Sequence, residues 1–296
     1  PAGVARGVGV GTGGGCAGRH APGLPSGLAG PGGPRCGRVF LRPVPAPRMR
    51  IGASVGPSHG RLHALPPGFE FAELAVGEGE RPVDAVDPDD VRSRLQAADL
   101  GATVHLPYRQ PLATPVPALD DATATYLEGV LDVAAAVGAE TAVAHPRTRG
   151  VDPTSEPVID RLSALAAAGR ERDVTVCFET VGYAGGPSLN RVGHLAVAAD
   201  AAVCLDAGYA YLEAGASGVR SFLDSYGDIV EHLHVHGVRR RGDTHIPLGS
   251  GDFPLDDLAG PLVDAAGDAT ATIEVFTDDA DYLDASRRRL ADAVGR

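Results

Sequence analysis

From residue 49 onward the sequence alternates between two kinds of segment, and this alternation limits the possible folds more than any other feature of the chain. Short β-branched, apolar runs lie near 50–55, 71–75, 102–105, 141–145, 174–179, 202–206, 231–236 and 271–276. Between them, segments rich in Ala and Leu carry a helical period near 88–99, 118–137, 157–171, 189–199, 216–227, 255–266 and 279–294. A strand buried on both faces reads as a continuous apolar run, whereas a helix packed on a sheet repeats every 3.6 residues. Strands that alternate with helices imply parallel pairing, because parallel neighbours need a crossover connection. Eight such strands match the size and rhythm of an α/β (β/α)₈ barrel. A doubly wound open sheet is the alternative, but it calls for a glycine-rich phosphate loop after the first strand. Gly52-Ala53-Ser54-Val55-Gly56 does not carry the G-x-G-x-x-G spacing. Asp87 and Asp152, each directly before a proline, are N-cap candidates, and Gly138 and Gly169 sit where C-caps belong.

Residues 1–48 are of another kind. They hold no Asp or Glu, six Arg, and mostly Gly and Pro without period. Such a segment has too little apolar surface to offset the entropy of ordering, so a disordered leader is expected at 1–48, ahead of a catalytic barrel domain at 49–296. The single methionine, Met49, stands directly before the first predicted strand. The expectation is that folding starts there and that the leader comes from a wrongly assigned start. A targeting peptide is the competing reading, weakened by the absence of a continuous apolar stretch.

The formal net charge is −12, and no lysine occurs, so the whole basic count is arginine. An acidic chain of this kind makes a nucleic-acid partner unexpected, since phosphate backbones are met by basic patches. No apolar run is long enough for a membrane span, which leads to the expectation of a cytoplasmic protein. None of the four cysteines, Cys16, Cys36, Cys177 and Cys204, forms a C-x-x-C pair, so reduced thiols are expected. Cys177 and Cys204 each lie two residues before a carboxylate on a predicted strand and share its inward face as small core residues.

In a barrel of this kind chemistry belongs to the C-terminal ends of the strands. Six consecutive predicted strands end in or carry a metal-capable side chain: His105, His145, Glu179, Asp206, the His232, His234 and His236 series, and Glu274. Each alone has an ordinary explanation as a hydrogen-bonded core histidine or a helix cap. Together, Glu179, Asp206 and Glu274 around one mouth would force like charges together at a cost that a bound cation relieves. Oxygen ligands with one imidazole suit Mn²⁺, Mg²⁺ or Co²⁺, whereas adding His105 and His145 suits Zn²⁺. The three histidines of the seventh strand share a face, which leaves both His234 and His236 open as the ligand.

These residues resemble the xylose isomerase-like barrels, which include sugar epimerases, hydroxypyruvate isomerases, inosose dehydratases and endonuclease IV. The resemblance runs from Met49 to the C-terminus. It rests on Glu179-Thr180 with Gly182 and Gly185, Asp206, His232-Leu233-His234, and the segment from Asp243 to Gly251. It implies one divalent ion held by Glu179, Asp206, His234 and Glu274, with the two glutamates moving a proton next to a carbonyl of a sugar or sugar phosphate. It further implies a second metal or substrate role for His105, His145, Asp243 and His245, and substrate contacts from Arg240, His236 and Tyr209. Arg239-Arg240-Arg241 is otherwise a solvated charge run. Endonuclease IV-like phosphodiesterase activity on abasic DNA and an inosose dehydratase-like lyase are the alternatives, with a non-enzymatic binding protein behind them. Against the nuclease, Tyr209 occupies the place of the histidine in the family's D-x-x-H, which puts a trinuclear site in doubt. The sequence leaves homo-oligomer formation open.

Overall fold

The computed structural model describes residues 48–77 and 81–296; of the leader expected at 1–48, residues 1–47, with Cys16 and Cys36, lie outside the described residues. Eight parallel strands close in chain order into a TIM barrel. They are β1 (Arg50–Gly56), β2 (Phe71–Ala75), β3 (Gly101–His105), β4 (Ala139–Ala144), β5 (Thr175–Glu179), β6 (Ala202–Asp206), β7 (Val230–Val235) and β8 (Thr270–Ile273). β8 returns to β1, with Thr270 beside Arg50 and Ile273 beside Ala53.

The helices around the barrel are α1 (Pro88–Ala97), α2 (Pro117–Val137), α3 (Glu156–Arg170), α4 (Leu189–Ala198), α5 (Ala207–Tyr226), α6 (Leu255–Ala266) and α7 (Ala280–Ala293). The β1–β2 connection carries only a 3₁₀ turn, His59–Ala64, where a barrel repeat would have a longer helix. Asp87 caps α1 as expected, its carboxylate accepting the Asp89 and Asp90 N–H groups. Gly138 ends α2 in the left-handed region at φ 81°.

Three local expectations are corrected. Asp152 is not a helix cap: its carboxylate closes a turn on Thr154, and Ser155 stands at the N-cap of α3. Gly169 lies inside α3 rather than after it, and a Cβ there would come within 2.6 Å of the Val174 carbonyl and of Val176. It is therefore the close contact between helix and strand that favours glycine at 169. The helix expected at 216–227 begins at Ala207 and is interrupted at Gly215 (φ 69°, ψ 179°). Asp206 caps the early segment through the Tyr209 N–H, and the buried Ala207, Ala210 and Tyr211 hold it on the barrel.

Alternation along the strands divides the side chains between two environments. Phe178 packs with Leu127, Leu162 and Val192 in one apolar cluster beneath the helices. Leu205, Leu233 and Ile273 pack with Phe222, Leu258 and Leu290 in a second. The other face looks into the barrel, where Cys177 and Cys204 are free thiols buried with Val143, as small core residues should be.

Candidate active site

The inward positions nearest the C-terminal ends of the strands carry the polar cluster. Glu179 ends β5 and Asp206 ends β6, directly across from His234 on β7. Glu274 follows β8 by one residue and continues its pairing with β7, its N–H donating to Val235 O at 3.2 Å. His145 and His236 likewise lie one residue beyond β4 and β7. Thr180 contributes to this geometry, because its hydroxyl accepts the Asp206 N–H at 2.9 Å and ties two neighbouring strand ends together.

His234 is the centre. Its Nδ1 lies 3.0 Å from Glu179 Oε1 and 3.2 Å from Glu274 Oε2, and its Nε2 lies 3.0 Å from Glu73 Oε2. Single ligand atoms from Glu179, Asp206, His234 and Glu274 fall within 4.8 Å of one another, as do those of two flanking groups. One flank is His105, His145 and Glu179, the other Asp206, His236, His245 and Glu274. His145 Nε2 and His105 Nε2 stand 2.7 and 3.4 Å from Glu179 Oε2. On the far side His236 Nε2 is 3.1 Å from both Asp206 oxygens, an approach that Gly208 permits, since a Cβ there would meet the imidazole at 2.4 Å. His245 has a left-handed backbone (φ 55°), and its ring stacks at 4.2 Å on both His236 and Phe276. A non-glycine residue held in that conformation carries strain of the kind found at functional sites.

The electrostatics follow from burial opposed by neighbours. Burial pushes the Glu179 and Glu274 carboxyls up, yet the facing histidines outweigh it and hold both well below the usual carboxylate range. Burial likewise raises Glu73, but His234 and His232 bring it down to about 2. His105 is pushed down by burial and raised to about 9 by Glu179. His234 is pushed down by burial but rises well above its ordinary value, because Cys204 and the carboxylates of Glu73, Glu274 and Glu179 face it. A site that draws a buried imidazole toward its charged form is one that calls for positive charge.

The donor set fits a divalent cation by a second criterion. Glu179 Oε2 and Glu274 Oε2 are buried without a donor in hydrogen-bonding geometry, although histidine nitrogens lie close by. Buried charged oxygens are rarely left so unless an ion or ligand completes them. The same carboxylates border a cavity of about 370 Å³, lined also by Ser54, Arg81, His105, Tyr108, His145, Tyr209, His245 and Phe276.

The structure therefore brings together Glu179, Asp206, His234 and Glu274, with His105, His145, His236, His245 and Tyr209 around them. It does not bring Asp243 or Arg240 to this cluster. Asp243 is bound by Arg239 at 2.8 Å and Arg241 at 3.1 Å. The Arg240 guanidinium lies over the Tyr211 ring and bonds its hydroxyl at 3.2 Å. Glu73 and Arg81 were missed by sequence reasoning. The available signal for Glu73 was an acidic residue in an otherwise apolar run, Phe71-Ala72-Glu73-Leu74-Ala75, at an inward position. Arg81 lies outside any strand and gave none.

The model of the family described as xylose isomerase-like TIM barrel matches residues 64–293. Fructoselysine 3-epimerase from Shigella flexneri is 34% identical over 62 residues, which cover 21% of this chain and 22% of that protein. The match to the curated relatives thus spans about a fifth of their length. Among solved structures, L-ribulose 3-epimerase superposes with a TM-score of 0.70 at 14% identity, over 84% of this chain and 95% of that one. D-psicose 3-epimerase with D-tagatose from Clostridium cellulolyticum gives 0.67 at 14%, over 83% and 98%. A protein from Thermus thermophilus, soaked with ZnCl₂, gives 0.62 at 23%, over 83% and 98%. At such identities the likeness carries the fold.

Proposed function

Because the chain belongs to the xylose isomerase-like TIM barrel family, we propose that it is a metal-dependent sugar epimerase or isomerase that moves a proton at a carbon next to a carbonyl. The observation that carries this reading is the convergence of Glu179 and Glu274 on His234 Nδ1, each with a buried oxygen left without a hydrogen-bond donor, in one cavity. The epimerase neighbours and the partial fructoselysine 3-epimerase match support the same class.

Glu179, Asp206, His234 through Nδ1, and Glu274 would hold the ion, Mn²⁺, Co²⁺ or Mg²⁺; Zn²⁺ fits if His105 and His145 also bind. When bound, such an ion polarises a carbonyl and its neighbouring hydroxyl and so acidifies the adjacent C–H. Glu73 fixes the histidine for that task by occupying Nε2, the arrangement in which an outer carboxylate orients a ligating imidazole. Asp206 is held by three partners, His236 and the Tyr209 N–H on its carboxylate and Thr180 on its backbone. Glu179 and Glu274 then act as the proton-transfer pair, one removing the carbon-bound proton and the other returning it. Tyr209 and Phe276 border the cavity as aromatic walls against which a sugar can lie and from which water is displaced. His236 and His245 complete the far flank.

A metal phosphodiesterase is the second reading, favoured by three overlapping metal-capable groups at the barrel mouth, with His236 reaching Asp206 from just beyond β7. The test is proton exchange in D₂O. Protein loaded separately with Mn²⁺, Co²⁺, Mg²⁺ or Zn²⁺ is incubated with ketohexoses, ketopentoses and inososes and followed by NMR, and an abasic duplex is assayed in parallel. The epimerase reading expects deuterium at the carbon next to the carbonyl together with the epimeric or isomeric sugar. Loss of water from an inosose would point to a lyase instead. Strand nicking without sugar exchange would sink the proposal.

A further inference from the structure

The cavity that receives the carboxylates also receives an arginine. Arg81 lies beyond β2 and lines the same cavity as His105, Glu179 and Glu274. Its backbone is anchored, with its carbonyl accepting the Gly77 N–H at 2.8 Å, and Pro82 follows to stiffen the exit. Its Nε is buried and meets no acceptor, and among the described residues no carboxylate forms an ion pair with it. The two carboxylates of the cavity face histidines, Glu179 beside His105, His145 and His234 and Glu274 beside His234 and His245, and neither pairs with Arg81.

The arginines that follow β7 contrast with this. Arg239 and Arg241 share Asp243, Arg240 is held on Tyr211 and Asp252, and none of the three lines the cavity. Arg81 is thus the guanidinium of the site with donor capacity left over. On this half-buried side chain the buried Nε–H without an acceptor carries a desolvation cost that a ligand oxyanion would recover, and a guanidinium matches phosphate and carboxylate geometry through its planar fork. A neutral sugar could accept one hydrogen bond through a hydroxyl but would leave the positive charge without a counter-charge.

We propose that Arg81 binds an oxyanion carried by the substrate, so that the cavity selects phosphorylated or carboxylated sugars over neutral ones; this rests on the epimerase or isomerase reading. Three substrates of one skeleton test it: fructose 6-phosphate, the corresponding keto-uronate and fructose. Turnover is measured with Mn²⁺-loaded wild type, Arg81→Gln, Arg81→Lys and Arg240→Ala. Binding of fructose 6-phosphate is measured separately by calorimetry in a Glu274→Gln background, where turnover is not needed. Loss of a charge-assisted bond should raise KM for the anionic substrate about 10- to 100-fold, with kcat little changed and KM for fructose nearly constant. The phosphate and carboxylate arms show which oxyanion the site prefers. Arg81→Lys keeps the charge without the fork and should recover part of the loss, which separates recognition from misfolding.

Equal effects on anionic and neutral substrates, or a selectivity change produced by Arg240→Ala in place of Arg81→Gln, would overturn the assignment. If no sugar is turned over but Arg81→Gln still weakens fructose 6-phosphate binding, the enzymatic reading fails while oxyanion recognition stands. If fructose is epimerised and Arg81→Gln leaves anion binding untouched, the reverse holds.

Discussion

On β7, Leu233 and Val235 face the helices while His232 and His234 face the barrel, and all four are fully buried. β5, β6 and β8 divide in the same way, setting Phe178, Leu205 and Ile273 against Glu179, Asp206 and Thr272. The outer layer is held by non-directional burial, which depends on volume and tolerates shape-conserving exchange. The inner layer is held by directional pairs in which each group limits the charge of the next, and three of its carboxylate oxygens, on Glu73, Glu179 and Glu274, remain without a donor. One ladder of backbone hydrogen bonds thus carries a layer that stabilises the barrel and another that costs stability in order to hold reactive charge. The division predicts that substitutions on the two faces separate stability from turnover.

The largest effect should come from crossing those faces. Glu274→Gln removes one member of the proton-transfer pair, and turnover should fall by about 10²- to 10⁴-fold. Its thermal midpoint should fall, because the charge removed is one that His234 and His245 stabilise in place, but by less than that of an outer-layer cavity variant. Leu233→Ala leaves a cavity in the fully buried outer layer and should cost about 2–5 kcal/mol of stability, with kcat per folded molecule retained. Chemical denaturation and single-turnover assays on both variants check this. Stability loss in Glu274→Gln as large as that in Leu233→Ala would show that the two layers are not separable.

How much of this was legible beforehand follows the same division. The outer layer writes its period into the chain, so all eight strands and most of the flanking helices were readable, and the strand ends pointed to Glu179, Asp206 and Glu274, with His234 preferred to His236 only through the family resemblance. What escaped depended on packing between distant segments. Gly169 looks like a helix end, and only the approach of Val174 and Val176 shows why glycine stands there. Ala207–Ala214 reads poorly as a helix and forms because Asp206 caps it and the barrel buries it. Glu73 carries one acidic letter in an apolar strand and acquires meaning only when His232 and His234 arrive from across the barrel. The family resemblance implies a substrate contact from Arg240, whereas Tyr211 holds its guanidinium aside.

An effect of intermediate size sharpens the boundary within the inner layer. Glu73 occupies His234 Nε2 and leaves Nδ1 toward Glu179 and Glu274. If it orients that imidazole for a cation, Glu73→Gln should weaken metal affinity about 10- to 100-fold. Competition with a chromophoric chelator reads this without any substrate. Unchanged affinity with lowered thermal stability would assign Glu73 to the packing of the barrel floor instead.

The smallest effect concerns a titratable group outside the cluster. His59, on the 3₁₀ turn after β1, is 3% exposed; its Nε2 lies 3.1 Å from Ala75 O and its Nδ1 has no partner. Burial lowers its pKa from 6.5, opposed by the Ala75 hydrogen bond and assisted by the charges of Arg81 and Arg94. The folded value therefore lies below the unfolded one. As pH falls below 6.5 the unfolded chain takes up the proton first, so the stability present above that pH declines and is lost once the pH has fallen through the folded pKa. His59→Gln keeps a donor for Ala75 O but cannot titrate. In urea unfolding, wild type should lose more stability than this variant between about pH 7.5 and about pH 5, and the gap should be smaller than the cost of Leu233→Ala. Parallel pH profiles for the two proteins would mean that His59 is protonated in place, with solvent reaching the unpartnered Nδ1 beneath the outer layer.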